Sequence, residues 1–326
     1  MCFQGGRLEA SISLPGDGSV SGFWPGFWAM GNLGRPGYRA TTDGMWPYSY
    51  YDECDAGITP NQSSPDGLNT LPGMRLPACT CKEGEHPSPG KSRGAPEIDV
   101  IEASVAPLNG DGRKIGSVSQ SLQMAPFDVW YMPDYGKPCQ LHLYVQSVTN
   151  KATDYTAVYD PRITQVNDYR GGPLQQAMSG LTNLNNDWYN GTEYQIYAFD
   201  YTPGGEGVIN WYVGKDQTWT IDARAVGPNG NIGQRVIPVE PMAIVMNLGM
   251  AYSFAPIDKN ISEYFPGFMR FDYVRVYQDP ENESITCDPP GLETTEYIKN
   301  HPVAYQNMNK TTWYVLFNFP GLNGLC

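Results

Sequence analysis

Basic residues and histidines are scarce in this 326-residue chain. The sequence has 21 Lys and Arg against 34 Asp and Glu, which gives a net charge of −13, and it has 3 His. A nucleic-acid partner requires clustered positive charge, so this balance argues against one. The His are scattered and no CxxC pair stands at zinc spacing. We therefore expect no metal site.

Signature motifs of several enzyme classes are also missing. The chain has no G-x-S-x-G, no Walker pattern and no G-x-G-x-x-G. This excludes a serine hydrolase, a nucleotide hydrolase and a dinucleotide enzyme, and no cofactor is expected. The longest apolar candidate, "PMAIVMNLGMAYSFAP", is too short to span a bilayer and is broken by Asn, Gly and Pro.

Cysteines and sequons, in contrast, are numerous. Seven Cys and five N-x-S/T sequons are typical of a protein from a secretory, oxidising compartment. Glycosylation is predicted at Asn61, Asn190, Asn260, Asn282 and Asn309. No signal peptide accompanies these features, so we expect a missing N-terminal segment. Candidate disulfide partners, with the pairing left open, are Cys54, Cys79 and Cys81, which could brace a long loop, and Cys287 and Cys326, which could attach the C-terminal tail to the rest of the chain.

Glycine, proline and aromatic content predicts an all-β fold. The chain has 36 Gly, 28 Pro and 22 Tyr, and long helix-forming runs are nearly absent. We therefore predict an antiparallel β-sandwich over residues 1–280, with a long disulfide-braced loop at 33–94. Residues 281–326 are predicted to form an extension packed on the sandwich. It would contain one short helix, capped by Thr294 or Thr295 and ending before Pro302. Strands are predicted at 5–16, 21–32, 96–105, 115–124, 140–148, 192–201, 206–213, 217–222, 236–248 and 268–278.

Three carboxylates interrupt the apolar strand "APEIDVIEAS" at residues 95–104. In a regular strand Glu97 and Asp99 share a face and Glu102 lies on the other, but a single β-bulge would bring all three together. Four strand steps span about 13 Å, and two Glu leaning inward by about 4 Å leave about 5 Å between their carboxyl groups. Retaining glycosidases need about 5–5.5 Å. Three crowded carboxylates would also raise at least one pKa. A solvated strand face or a calcium site remain alternatives.

The strand "PEIDVIE" resembles the active-site strand of glycoside hydrolase family 16, in the bulged version of its laminarinase-like members. The segments "GFWPGFWAMGNLGRPGY", "GMWPYSYYDECDAGITPNQSS" and "CDPPGLETTEYIKNHPVAY" resemble a subgroup of that clan, the fungal β-1,6-glucan synthesis-associated proteins. The resemblance runs along the whole chain. It implies a concanavalin-like jelly roll with a glucan-binding cleft. It also implies that Glu97 is the nucleophile, Asp99 the assisting carboxylate and Glu102 the general acid/base.

The same resemblance implies a cellular setting. It predicts a type II membrane protein of the endoplasmic reticulum, Golgi and plasma membrane that acts in cell-wall β-1,6-glucan biosynthesis with β-glucan as its partner. Relatives begin upstream with a membrane span and the first strands of the sandwich. We therefore expect membrane anchoring only through an upstream segment, and an incomplete sandwich in this chain.

Substrate contacts are predicted for aromatic and amide side chains. Trp24 and Trp28 share a strand face, where they would either pack in the core or stack on glucose rings. The remaining candidates are Trp46, Gln123 and Asn247. Many family 16 hydrolases carry a His on the strand after the motif, but this chain offers Gln120 and Gln123 there. Two hypotheses follow: a retaining glycosidase or transglycosylase, and a non-catalytic glucan-binding or scaffolding protein.

Overall fold

The fold is described from a computed structural model. The described residues are 1–36, 87–88, 91, 93–105, 114–124, 127, 156–171, 175–228 and 233–309. Several predicted features lie outside them: the strand at 140–148, nearly all of the long loop, Trp46, the Asn61 sequon, and Cys54, Cys79, Cys81 and Cys326.

Two antiparallel sheets make up the described part of the chain. Their strands are β1 (Cys2–Phe3), β2 (Gly6–Ser13), β3 (Trp24–Gly31), β4 (Glu97–Val105), β5 (Gly116–Met124), β6 (Thr156–Val158), β7 (Thr164–Val166), β8 (Gln176–Asn183), β9 (Gln195–Thr202), β10 (Val208–Val213), β11 (Asp216–Asp222), β12 (Met242–Gly249) and β13 (Arg270–Tyr277). The first sheet has the order β1-β12-β3-β4-β5-β8-β7, and the second has the order β13-β2-β9-β10-β11-β6. The predicted all-β jelly-roll sandwich is confirmed.

Alternation of apolar and polar residues explains how the sheets face each other. In β2, Leu8, Ala10 and Ile12 are fully buried, whereas Arg7 and Glu9 lie on the outer side. Inward-facing side chains from both sheets form one hydrophobic core. At its centre the rings of Trp211 and Trp219 stack with their centroids 5.0 Å apart.

Strand β8 lacks the residue pattern that is typical of a β-strand, because its sequence "QAMSGLTN" contains no β-branched residue except Thr182. Gly180 is nevertheless required there. A Cβ atom at this position would lie 3.0 Å from the indole ring of Trp219, closer than ordinary van der Waals contact. The strand therefore owes its place to packing under Trp219 rather than to local propensity.

One edge of the first sheet is only partly paired. Strand β1 pairs with β12 at Met242 and Ala243 alone. Beyond these residues β12 has no other neighbour on that side within the described ranges. Met246 is paired with the core residue Phe27, yet 49% of its surface is exposed. The sandwich is thus open to solvent along this edge in the part of the chain that is described.

The predicted helix near the C-terminus is confirmed as α1 (Thr295–Asn300), and a second helix, α2 (Pro302–Gln306), follows it. Thr294 occupies the predicted N-cap position, but its side chain makes no capping hydrogen bond. Thr294 donates its hydroxyl to the backbone oxygen of Cys287, whereas Asp288 Oδ1 accepts from the backbone N–H groups of Thr294 and Thr295. The predicted end before Pro302 is confirmed, because α1 stops at Asn300, and Pro302 begins the separate helix α2, where proline is tolerated in the first turn.

Cys287, one of the two cysteines expected to attach the C-terminal extension, is bonded to Cys2 at the start of the sandwich. Hydrogen bonds bring the two segments together. The backbone N–H of Gln4 donates to the oxygen of Ser284 at 3.1 Å, and Gln278 Nε2 donates to the oxygen of Gln4 at 2.8 Å. Among the described residues, no helix has the length and apolar character needed to cross a membrane.

Candidate active site

A β-bulge in β4 places the three carboxylates on one face of the first sheet. Asp99 pairs with Ser121 and Glu102 pairs with Ser119, so Val100 and Ile101 together oppose a single residue of β5. Both of these residues are fully buried. The extra residue reverses the alternation of side chains, and Glu102 therefore points to the same side as Asp99. The predicted bulge is confirmed.

The pairing of β4 with β3 independently shows that the three carboxylates share one face of the sheet. Glu97, Asp99 and Glu102 pair with Met30, Trp28 and Gly26, which alternate along β3 and so share one face. The exposed side of this face is the candidate active site. Within the described ranges, no group of three or more His, Cys, Asp or Glu side chains is arranged to hold a metal ion.

Asp99 lies at the centre of the carboxylates and is 1% exposed. Its Oδ2 atom accepts hydrogen bonds from the Ser121 hydroxyl and, at 2.8 Å, from Gln123 Nε2. Burial raises the pKa of Asp99, and the hydrogen bonds from Ser121, Gln123 and Glu97 oppose that increase. The donors around Asp99 thus favour a negative charge at this central position.

Glu97 is held from two sides by amide groups. Its Oε1 accepts from Gln123 Nε2 at 3.2 Å, and its Oε2 accepts from Gln175 Nε2 at 3.0 Å. Burial, the negative charges of Asp99 and Glu102, and a hydrogen bond to Asp99 raise the pKa of Glu97 well above its usual range. The raised pKa favours the protonated form of Glu97, which can donate a hydrogen bond to Asp99.

Glu102 accepts a hydrogen bond from Trp24 Nε1 at 2.9 Å. Burial and the charge of Asp99 raise the pKa of Glu102 to about 8, although the Trp24 hydrogen bond lowers it. At neutral pH Glu102 is thus largely protonated, as a general acid must be.

Predicted substrate-contact residues lie beside the carboxylates where the structure describes them. Trp24 and Trp28 are partly buried on the face with the acids, and Trp28 also packs against a small second hydrophobic cluster that contains Met30 and Leu33. Trp28 Nε1 donates to Asn247 Oδ1 at 2.7 Å, which joins β3 to β12 next to Gly26. Gln123 contacts the acids themselves. These residues form the wall of the site, and their contact with sugar stays a prediction.

Three further residues belong to the site but have no sequence signal. Phe254 stacks on Trp24 with ring centroids 4.5 Å apart and an angle of 6° between the planes. Gln175 reaches Glu97 from the segment before β8. Tyr169, which is 60% exposed, has a pKa raised by burial and by the negative charges of Glu102, Glu97 and Asp99. All three lie outside the bulged strand and its pairing partners, so only tertiary structure identifies them.

The sequons at Asn190, Asn260, Asn282 and Asn309 are exposed, so each is accessible to the modification that we predict. Asn190 adopts a left-handed backbone conformation with φ of 55° in a surface turn. Glycan attachment at these positions stays a prediction.

Glu102→Gln is expected to flatten the pH dependence of stability. Between the ordinary pKa of 4.5 and the folded-state value of about 8, the folded protein binds more protons than the unfolded chain. The stabilisation by Glu102 is therefore complete below 4.5 and is lost as the pH rises toward 8. Melting temperatures measured across this range should fall less steeply in the variant than in the wild type. Equal slopes would contradict the pKa assignment, since the burial of Glu97 and Asp99 acts in the same direction in both proteins.

Comparison with known proteins gives one family match that covers nearly the whole chain. The family model "Beta-glucan synthesis-associated protein SKN1/KRE6/Sbg1" matches residues 1–323. Beta-glucan synthesis-associated protein KRE6 of Saccharomyces cerevisiae is 50% identical over 318 residues, which cover 96% of this chain and 41% of that protein. Beta-glucan synthesis-associated protein SKN1 of Candida albicans is 48% identical, over 95% of this chain and 39% of that protein. The chain thus spans about 40% of the length of these relatives.

Solved structures with a similar fold are more distant. The laminarinase catalytic domain of Thermotoga maritima aligns over 86% of this chain and 66% of its own, with 14% identity and a TM-score of 0.37. A Bacteroides ovatus mixed-linkage glucan GH16 protein in complex with its product aligns over 85% of this chain and 71% of its own, with 16% identity and a TM-score of 0.37. On the strength of the family match and the two close relatives, this chain belongs to the β-glucan synthesis-associated SKN1/KRE6/Sbg1 family.

Proposed function

We propose that the chain is a retaining β-glucan-active glycosidase or transglycosylase. The observation that carries this proposal is the bulge in β4, which brings Glu97, Asp99 and Glu102 to one side of the sheet. A retaining reaction needs one carboxylate that attacks and one carboxylic acid that protonates the leaving oxygen. We assign these roles to Glu97 and Glu102.

Asp99 makes the two roles compatible. Glu97 and Asp99 share the proton of one hydrogen bond, and both lie in the same buried network. When a sugar ring enters, that proton passes fully to Asp99 and leaves Glu97 as a carboxylate. Gln123 and Gln175 hold Glu97 in one orientation during this transfer. Glu102 keeps its own proton, because its pKa is raised to about 8.

The proposed reaction then has two steps. Glu97 attacks the anomeric carbon while Glu102 gives its proton to the departing glycosidic oxygen, and a glycosyl ester forms on Glu97. In the second step Glu102 takes a proton from an incoming water or sugar hydroxyl, whose oxygen attacks the anomeric carbon and releases Glu97. A sugar acceptor makes the outcome transglycosylation, which suits a role in glucan assembly. The family name and the relatives' names support β-glucan as the substrate class.

We propose that the whole protein acts in cell-wall β-1,6-glucan biosynthesis in the fungal secretory pathway, with membrane anchoring by an upstream segment. Two observations support an oxidising compartment. Cys2 and Cys287 form a disulfide bond, and the sequons at Asn190, Asn260 and Asn282 lie on exposed surface.

Product analysis tests the proposed chemistry. The chain is incubated with β-1,3- and β-1,6-linked gluco-oligosaccharides, and the new reducing ends are followed by proton NMR. We expect the β anomer to appear first and the α anomer only later, by mutarotation. An excess of oligosaccharide acceptor should yield products longer than the substrate. Products that begin as α anomers would contradict the retaining assignment.

A second candidate function is glucan binding without turnover. The observation that favours it is Gln123, which with Gln120 lies on the strand where many family 16 hydrolases have a His, and whose amide is occupied by both Glu97 and Asp99. Calorimetric binding of the same oligosaccharides with no product after prolonged incubation would support this function over catalysis.

A further inference from the structure

The bulge in β4 is not the only one in the core of the sandwich. Strand β11 contains a second bulge, because Trp211 pairs with Trp219 and Tyr212 pairs with Gln217, which leaves Thr218 as the extra residue. Thr218 and Trp219 are consequently both buried. Each bulge interrupts the ladder of backbone hydrogen bonds in its sheet. The backbone groups so released lie in a dry core, where each needs another partner.

The side chain of Gln120 connects the two bulges. Gln120 lies on β5 opposite Val100 and Ile101, and it is fully buried between the sheets. Its Nε2 donates to the backbone oxygen of Val100 at 3.1 Å and to that of Tyr212 at 3.3 Å. Its Oε1 accepts from the Thr218 hydroxyl at 2.6 Å. One amide group therefore binds the irregular part of both sheets.

Two indole groups complete the connection. Trp211 Nε1 donates to the backbone oxygen of Asp99 at 2.8 Å, and Trp219 Nε1 donates to the backbone oxygen of Gln120 at 3.1 Å. The backbone of the bulge at Asp99 and Val100 thus accepts hydrogen bonds from side chains on the core side of the sheet, away from the candidate active site. These contacts stabilise the bulge, which reverses the side-chain alternation of β4 and so turns Glu102 toward Glu97.

We propose that Gln120 is a positioning residue for Glu102. It acts through the backbone of Val100, does not touch substrate, and ties the geometry of the candidate acids to the bulge of β10 and β11 in the opposite sheet. Without the Gln120 amide, the backbone oxygens of Val100 and Tyr212 lose this shared donor in a dry environment. The bulge then relaxes, and Glu102 moves out of its buried place next to Asp99.

The test is Gln120→Leu, which keeps the volume of the side chain nearly unchanged and removes its amide. The readout is the pKa of Glu102, measured from its carboxyl ¹³C resonance, with the assignment made by Glu102→Gln. We expect this pKa to fall by about one unit or more, as Glu102 gains water and loses its buried place. Should Gln120→Leu fail to fold, Thr218→Val keeps the Gln120 amide and removes the hydroxyl that reaches Gln120 Oε1 at 2.6 Å and the backbone oxygen of Trp211 at 3.1 Å, and a smaller shift in the same direction is expected.

Thr182→Val is the matched control. Thr182 is buried in the same sheet, and its hydroxyl lies 2.9 Å from that of Thr164, so its loss also removes a buried hydrogen bond. It should lower stability without moving the pKa of Glu102. If Gln120→Leu lowers stability like this control and leaves the pKa of Glu102 unchanged, the proposal is overturned.

The positioning role of Gln120 extends the proposed function, and only its expected effect on kcat rests on that function. Gln120→Leu should lower kcat on a β-glucan substrate about 100-fold with little change in KM, because a misplacement of about 1 Å has that effect. If the wild type turns over no glucan while the pKa of Glu102 shifts in the variant, the proposed function fails and the positioning role stands. If the wild type is active and Gln120→Leu matches it in kcat, the positioning role fails alone.

Discussion

Glu97→Gln is expected to abolish turnover of β-glucan, with a loss of about 10⁴-fold or more in kcat. The amide cannot form the glycosyl ester, and the remaining residues of the site cannot replace a missing nucleophile. Its size and shape match the carboxyl group, and its single oxygen can still accept from Gln123, whereas its NH2 group cannot accept from Gln175. The measurement is the rate of oligosaccharide consumption, combined with calorimetry to show that binding is retained.

Glu9→Gln serves as the control for this experiment. Glu9 lies on the outer side of β2, where it accepts from Arg7 Nε at 2.9 Å and from the Tyr273 hydroxyl at 2.9 Å, in the sheet that lacks the candidate acids. The control should keep wild-type activity. Equal activity in Glu97→Gln and Glu9→Gln would remove Glu97 from the mechanism.

Arg93→Met is expected to destabilise the fold by about 3–5 kcal/mol, because it leaves a buried charge without its partner. Arg93 and Glu240 are both fully buried and form an ion pair with 2.9 Å between Nε and Oε1. Arg93 also donates to the backbone oxygen of Leu292 at 3.0 Å, so it links the segment before β4 to the C-terminal extension. The measurement is the urea midpoint of unfolding, with the m-value checked for a change in cooperativity.

A double variant separates the ion pair from simple loss of packing. Arg93→Met/Glu240→Leu removes both charges and should recover part of the lost stability, since an apolar replacement of a buried pair is often tolerated. Arg162→Met removes an exposed ion pair with Asp160 and should leave stability unchanged. A double variant less stable than Arg93→Met would contradict this explanation.

The active-site bulge could be predicted because it is a local property with a strong physical constraint. Three carboxylates within six residues of an apolar strand cannot all be placed on a polar face without one irregularity. The spacing therefore located the bulge between Asp99 and Glu102, where the structure has it. Strand β2 could also be predicted from a local pattern, because the apolar residues Leu8, Ala10 and Ile12 repeat with the period of a strand.

Features that depend on residues far apart in the chain could not be predicted. Arg93 and Glu240 are 147 positions apart, and Cys2 and Cys287 are 285 positions apart. Nothing local distinguishes either member of these pairs. Gln120 is the clearest case, because its sequence position suggested a substitute for a catalytic-strand His. Its side chain points away from the candidate active site. Only its contact with a second bulge, in the other sheet, explains why an amide is buried there.

Covalent trapping tests most directly whether the bulged strand of β4 carries a retaining nucleophile. A 2-deoxy-2-fluoro-glucosyl donor with a good leaving group slows the second step, so the glycosyl ester accumulates on the attacking carboxylate. Mass spectrometry of the digested protein should then find one fluoroglucosyl group on the peptide containing "APEIDVIEAS", attached to Glu97. Attachment to Glu102 or to a residue outside β4, or turnover of the donor with no labelled peptide, would contradict it.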